Sequence, residues 1–241
     1  MPSLKLIRDH VVNAPVALIL SGVAILFLAM PDFGNAFEFH FSDLRWNIGS
    51  TESSNFTWLS SWIRALQSGL RILGCNWLHW SIDHLCWDLF MFYLVGSLCE
   101  QRNRSAFLAV ILASGLMIPI TVMIYSPEFG SYRGLSGIDT ALYVLLGTLW
   151  FLDAIRERDR SASLVCFGLL VAMVLKIGYE LFSQQLLFVT DDSFTPAPTA
   201  HSSGAIIGIL IALCFVAKDH AMRRQSHHRR CFLETDGKRI S

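Results

Sequence analysis

Six apolar stretches decide what this chain can fold into. They run about Ala14–Met30, His84–Leu98, Ala106–Tyr125, Leu135–Leu152, Ser163–Leu181 and Ala200–Ala217. Each is close to the roughly 17–25 residues that a helix needs to cross a bilayer. With 53% hydrophobic and only 16% charged residues among 241, a soluble domain could not hide this much apolar surface. The expected class is an all-α polytopic membrane protein. The second stretch is short unless Trp80–Asp83 belongs to it, and Lys176 interrupts the fifth. The first follows Lys5 and Arg8 as a signal peptide would, yet it ends in Met-Pro-Asp with no small-residue cleavage site, so it reads as an uncleaved span.

Basic residues orient the bundle although the formal net charge is zero. Lys5 and Arg8 precede the first span, Arg102 and Arg104 follow the second, and Arg156, Arg158 and Arg160 follow the fourth. Lys218, Arg223, Arg224, Arg229 and Arg230 follow the sixth, while the other loops hold few basic residues and include Asp191-Asp192. Basic loops face the cytoplasm, so six spans put both termini there. The organisation expected is a cytoplasmic N-terminus (1–13), a membrane domain (14–217) and a basic cytoplasmic tail (218–241) that touches anionic lipid. His220, His227 and His228 in that tail are weak metal-ligand candidates.

The outer loop, about 31–78, carries its own pattern. Trp58, Leu59, Trp62, Ile63, Leu66, Leu70 and Leu73 recur at helical spacing between polar residues, which suits a helix lying in the membrane interface. A helix packed on the bundle fits equally well. Phe33, Phe37, Phe39, Phe41 and Trp46 suggest that the rest of the loop also rests on the membrane, and Asn55-Phe56-Thr57 is a glycosylation sequon. The six cysteines form no CxxC pair and read as packing residues, with no disulfide framework.

Ionisable residues inside spans are costly and are therefore functional candidates. The second segment offers His79, His84 and Asp88, the fourth Ser136 and Asp139, the sixth His201. Segments two, four and six all run inward, and these residues fall near their outer ends, so they share one layer. Gly134-Leu135-Ser136-Gly137 places a serine where a loop becomes a helix. Alone the string is weak, since glycine and serine are common. With a base at the same depth, Ser136 becomes a nucleophile candidate. His201 is the best base, because Gly204 and Gly208 follow it as a GxxxG face that lets the fourth helix approach closely. The free N–H groups at the helix N-terminus, with a second histidine, can receive an oxyanion. Asp139 is expected to serve helix packing or a structural hydrogen bond, or else to orient His201. Intramembrane histidines bonded only to carbonyls, with GxxxG for packing alone, are the bland reading.

Three blocks together resemble the rhomboid intramembrane serine proteases. They are His79…His84…Asp88 with Gly96…Glu100, then Tyr132-Arg133-Gly134-Leu135-Ser136-Gly137, then Ala200-His201-Ser202-Ser203-Gly204…Gly208. The resemblance covers roughly residues 10–217 and is closest to the rhombosortase-like bacterial branch. It implies a six-helix rhomboid-like bundle with an interfacial outer loop, sited in a bacterial inner membrane with its active site opening outward. It implies a Ser136–His201 dyad, with His84, the Ser136 backbone and Asp88 around the oxyanion and with His79, Gly134, Gly137, Asp139, Gly204 and Gly208 in support. The partners implied are membrane-anchored protein substrates and the lipid bilayer, with no nucleic acid, no metal and no cofactor. For the rhombosortase-like branch the substrates are C-terminal membrane anchors of exported proteins.

Two positions depart from the family pattern. Asp88 stands where most rhomboids have an asparagine, and Thr140 where many have a tyrosine stacked on the histidine. An ionised carboxylate only accepts hydrogen bonds and would repel a forming oxyanion. Asp88 is therefore either protonated and donating, or ionised, turned away and holding a charged His84; the second is favoured. Rival readings are an inactive relative that binds membrane clients, and a proton or metal pathway through His79, His84, Asp88 and His201.

Overall fold

The computed structural model describes residues 13–42, 58–183 and 197–237. The sequon at Asn55, Trp46, the acidic pair Asp191-Asp192 and the basic residues before the first span lie outside them. Eight helices follow in order: α1 (Pro15–Ala29), α2 (Pro31–Asn35), α3 (Trp58–Gly74), α4 (Ile82–Arg102), α5 (Arg104–Tyr125), α6 (Ser136–Glu157), α7 (Arg160–Ser183) and α8 (Pro198–Gly237). Two-residue strands β1 (Phe39–His40) and β2 (Ser131–Tyr132) pair antiparallel.

Five of these helices, α4 to α7 and the Pro198–Asp219 part of α8, are long and apolar enough to span a membrane. The chain is a multi-pass membrane protein. The first apolar helix, expected over Ala14–Met30, has 15 residues. At 1.5 Å per residue it covers about 22 Å, less than the ~30 Å of a bilayer's hydrocarbon core. The second span is longer than hydropathy suggested, because Ser81 caps it by accepting the His84 N–H at 3.2 Å and draws Ile82 and Asp83 into the helix. Beyond the last span, where a solvated tail was expected, α8 continues to Gly237.

Short, capped connections force neighbouring helices to run antiparallel. Asn103 ends α4 and caps α5 through the Ala106 N–H at 3.0 Å. Arg158 ends α6 in the left-handed conformation, and Asp159 accepts the Ala162 N–H at 3.0 Å. The centre of the bundle is α6, which packs on α4, α5, α7 and α8. Of its most apolar 18 residues 67% are buried, against 6% for α7, so α7 stands at the lipid-facing edge.

At the C-terminal end of α4, Glu100 is buried and accepts the Ala17 and Val16 N–H groups at 2.8 and 3.3 Å. Two donors at the start of α1, which lack intrahelical partners, thus bind a carboxylate that the helix dipole also favours. Arg104 pairs with Glu100 at 3.1 Å, and Arg102 bonds Asp153, which joins α4 to α6.

The outer loop divides into two behaviours. Helix α3 forms where the periodicity placed one, and Ile63, Leu66, Leu70 and Leu73 stay exposed. An apolar stripe left open on a membrane protein fits the interfacial reading. Phe39 and Phe41 do not rest on the membrane: both are buried in the core, carried there by the β1–β2 pairing of Phe39 with Tyr132. Alternation along a two-residue strand is too short a pattern to read from sequence. Phe37 stacks on Phe27 with centroids 5.1 Å apart, and Phe33 remains half exposed.

Candidate active site

The start of α4, α6 and α8 and the end of α7 carry His84, Asp88, Asp139, Glu180 and His201, all buried. The loop into α6 is fixed first. Arg133 pairs with Glu38 and lies 4.5 Å over the Trp80 ring. The Tyr132 hydroxyl donates to the Gly134 carbonyl at 3.1 Å, and burial pushes this phenol well above its ordinary pKa, so it remains a neutral donor. Gly134 donates to the Cys75 carbonyl at 3.3 Å and holds φ at +126°, where only glycine is unstrained. A side chain there would also meet the His84 ring, 3.2 Å from an added Cβ.

Around this turn the structure assembles an acceptor with three donors. Asp88 Oδ2 lies 3.2 Å from His79 Nε2, 3.2 Å from His84 Nε2 and 3.1 Å from the Leu135 amide, which donates to it. Asp88 and His84 share a face of α4, four residues apart, as expected for one helical turn. Three N–H groups converging on one oxygen fit an ionised carboxylate turned toward the histidines. If His84 gives its Nε2–H to Asp88, it can donate from Nδ1 only as the imidazolium.

Ser136 is the first residue of α6 and is partly exposed. Leu135 supplies the amide that Asp88 takes, whereas the amides of the first helical turn have no acceptor within the helix. Thr140, buried one turn on, donates to the Ser136 carbonyl at 2.9 Å and is too short to stack on an imidazole.

Helix α8 meets α6 backbone to backbone. An added Cβ on Gly204 would collide with the Gly137 carbonyl oxygen, and one on Gly208 with that of Ala141. On the other side, an added Cβ on Gly137 would lie 3.1 Å from the Ala200 carbonyl oxygen. The GxxxG face therefore docks on the fourth span, and Ala200–His201 is brought level with Ser136–Gly137. Ser126 and Thr199 hydroxyls, 2.7 Å apart, tie the start of α8 to the end of α5. The atoms that an added Cβ on Gly204 or Gly208 would meet are backbone, not flexible side chain. Gly204→Val is accordingly expected to push α8 off α6. A shift of about 1 Å costs on the order of a hundredfold in rate, measured as turnover of a membrane substrate by purified protein. Wild-type turnover by Gly204→Val and Gly208→Val would mean that this packing does not set the site.

His201 is buried, and its Nδ1 lies 2.6 Å from Glu180 Oε2 on α7. Lys176 donates to Glu180 Oε1 at 2.7 Å. Sequence reasoning missed Glu180. The signal was present: α7 and α8 are consecutive spans, so Lys176 and Glu180 near the end of α7 reach the start of α8, where His201 lies, and intramembrane ionisable groups are functional candidates. Asp139, weighed for orienting His201, makes no hydrogen bond to it; both its carboxyl oxygens are buried with no hydrogen-bond partner among the described residues.

A model of the Rhomboid domain matches residues 67–218. The chain belongs to the rhomboid family. That family is one of intramembrane serine proteases, and the match fits the all-α bundle described above. The match takes in α4 to α7, the apolar part of α8 and the C-terminal half of α3. All three sequence blocks of this rhomboid fall inside it. No curated protein matches the chain by sequence.

Proposed function

We propose that this rhomboid is a serine endopeptidase that cuts peptide bonds in or beside the membrane helices of anchored proteins, with Ser136 as nucleophile and His201 as general base. The observation that supports the reading is the backbone contact of α6 with α8 at Gly137, Ala200 and Gly204, the sequence neighbours of the serine and the histidine.

The chemistry follows from that pair. Ser136 Oγ bonds to the scissile carbonyl carbon as its proton passes to His201 Nε2. The oxyanion that forms lies toward the first-turn amides of α6, including that of Ser136, and toward His84. Collapse of the tetrahedral species breaks the C–N bond, and the leaving amine takes the proton from His201. Water then attacks the acyl-enzyme with His201 again as base, and the new carboxyl terminus departs. Asp88 acts behind His84, holding the ring through Nε2, and stands clear of the oxyanion. His79 shares the same carboxylate, and Gly134 gives His84 room.

Basic loops orient the bundle so that this layer opens outward, to the periplasm if the membrane is a bacterial inner one. The resemblance to the rhombosortase-like branch makes C-terminal anchors of exported proteins the substrate class to test first. A soluble reporter domain fused to an apolar C-terminal anchor of about 20 residues should be cut by purified protein in liposomes. The same reporter without the anchor should stay whole. Equal cutting of both would contradict an intramembrane specificity, and cutting of neither anchored at the C-terminus nor at the N-terminus would favour a client-binding role.

A further inference from the structure

We infer that Glu180 is a positioning residue for His201, which adds a third member to the proposed Ser136–His201 dyad, with Lys176 as its brace. The inference rests on the proposed role of His201 and adds the group that makes it competent.

A neutral imidazole carries one hydrogen, and the base must keep a lone pair on the nitrogen that faces the serine. Two side chains on α7 compete to decide which nitrogen that is. Glu180, which only accepts, lies 2.6 Å from Nδ1 and calls for the hydrogen there. Lys176, which only donates, stands 3.5 Å from the same atom and would call for a lone pair. The first distance is within the short range of charge-assisted bonds; the second is at the outer limit of a hydrogen bond. Glu180 wins. Nδ1 bears the hydrogen, and Nε2 keeps its lone pair for the Ser136 proton. After that proton arrives, the carboxylate stabilises the imidazolium, as the third member does in serine hydrolases built on other folds.

The placement of Glu180 points the same way. It is fully buried, on a helix where Ile177 and Cys166 are the other buried residues. A carboxylate buried inside a membrane domain is costly unless paired and hydrogen-bonded. Lys176, one turn back, supplies the charge and holds Oε1 at 2.7 Å, which leaves Oε2 aimed at His201. Packing needs explain neither residue, since an apolar pair would fill the same space on a lipid-facing helix.

The test uses the full chain in detergent micelles, with two readouts. Histidine-selective nitrogen-15 NMR assigns the tautomer of His201, by reference to His201→Gln. A fluorophosphonate probe reports the rate at which the nucleophile is modified. Wild type should show the hydrogen on Nδ1. In Glu180→Gln the side-chain amide can donate to Nδ1, so the hydrogen should move to Nε2 and modification should slow by about 10³–10⁴-fold. Glu180→Asp, which restores a carboxylate, should regain the Nδ1–H tautomer and much of the rate. A folded Glu180→Gln with wild-type tautomer and rate overturns the inference. If that variant does not fold, the wild-type spectrum decides, because a hydrogen on Nε2 of His201 overturns it outright. Modification that persists in Ser136→Ala is a separate failure: it removes the nucleophile assignment and leaves the tautomer result standing.

Discussion

Replacing Ser136 or His201 by alanine is expected to lower peptide hydrolysis by about a million-fold, the scale seen when one member of a serine-histidine unit is removed. The protein should still insert and fold. Ser136 opens α6 without a side-chain cap, and the α6–α8 contact rests on glycine and alanine backbone rather than on either side chain. The two single variants and the double variant should fall to one background, because members of a catalytic unit do not act additively. Rates of a purified membrane substrate, with thermal unfolding as the control for folding, measure this. A variant that keeps more than a trace of wild-type turnover removes its residue from the mechanism.

The second large effect belongs to Asp88. Its Oδ2 collects His79, His84 and the Leu135 amide, so Asp88→Ala strips three donors of one acceptor and frees the His84 ring beside Gly134. Loss of one oxyanion donor typically costs 10²–10³ in turnover, and a loss of about that size is expected here. Asp88→Asn should fall between alanine and wild type. Its amide keeps an oxygen for the Leu135 N–H, yet it carries no charge and places an NH₂ group where a ring nitrogen donates. An asparagine variant equal to wild type would show that the family's usual residue serves here unchanged and that the carboxylate holds nothing the site needs. An alanine variant equal to wild type would make Asp88 a bystander.

These two residues also show what the sequence made legible. Hydropathy and the distribution of arginine place Ser136, His201, His84 and Asp88 at one depth, because span order fixes which end of each helix faces out. Gly204 and Gly208 were readable as a docking face because only small residues let two backbones touch, and both meet α6. Depth, however, says nothing about azimuth. Asp139 and Glu180 sit in the same layer by residue count, yet Asp139 points to no partner and Glu180 meets His201. Lys176 blurred the fifth hydrophobic stretch, and its charge was read as a boundary problem rather than as half of an ion pair. The burial of Phe39 and Phe41 escaped for another reason: it depends on a two-residue strand pairing across 93 positions of sequence, Phe39 with Tyr132, which no local pattern encodes.

The central claim is that Ser136 is a nucleophile served by His201. Reaction of the purified full chain with a fluorophosphonate tests it most directly. A serine oxygen bonds to phosphorus, fluoride leaves, and the hydroxyl proton passes to the base, so a single stable adduct marks the nucleophile without any knowledge of the substrate. Mass spectrometry of the digested protein should place the adduct on Ser136, with none in Ser136→Ala and essentially none in His201→Ala. An adduct on another residue, or equal modification of all three proteins, would contradict the account.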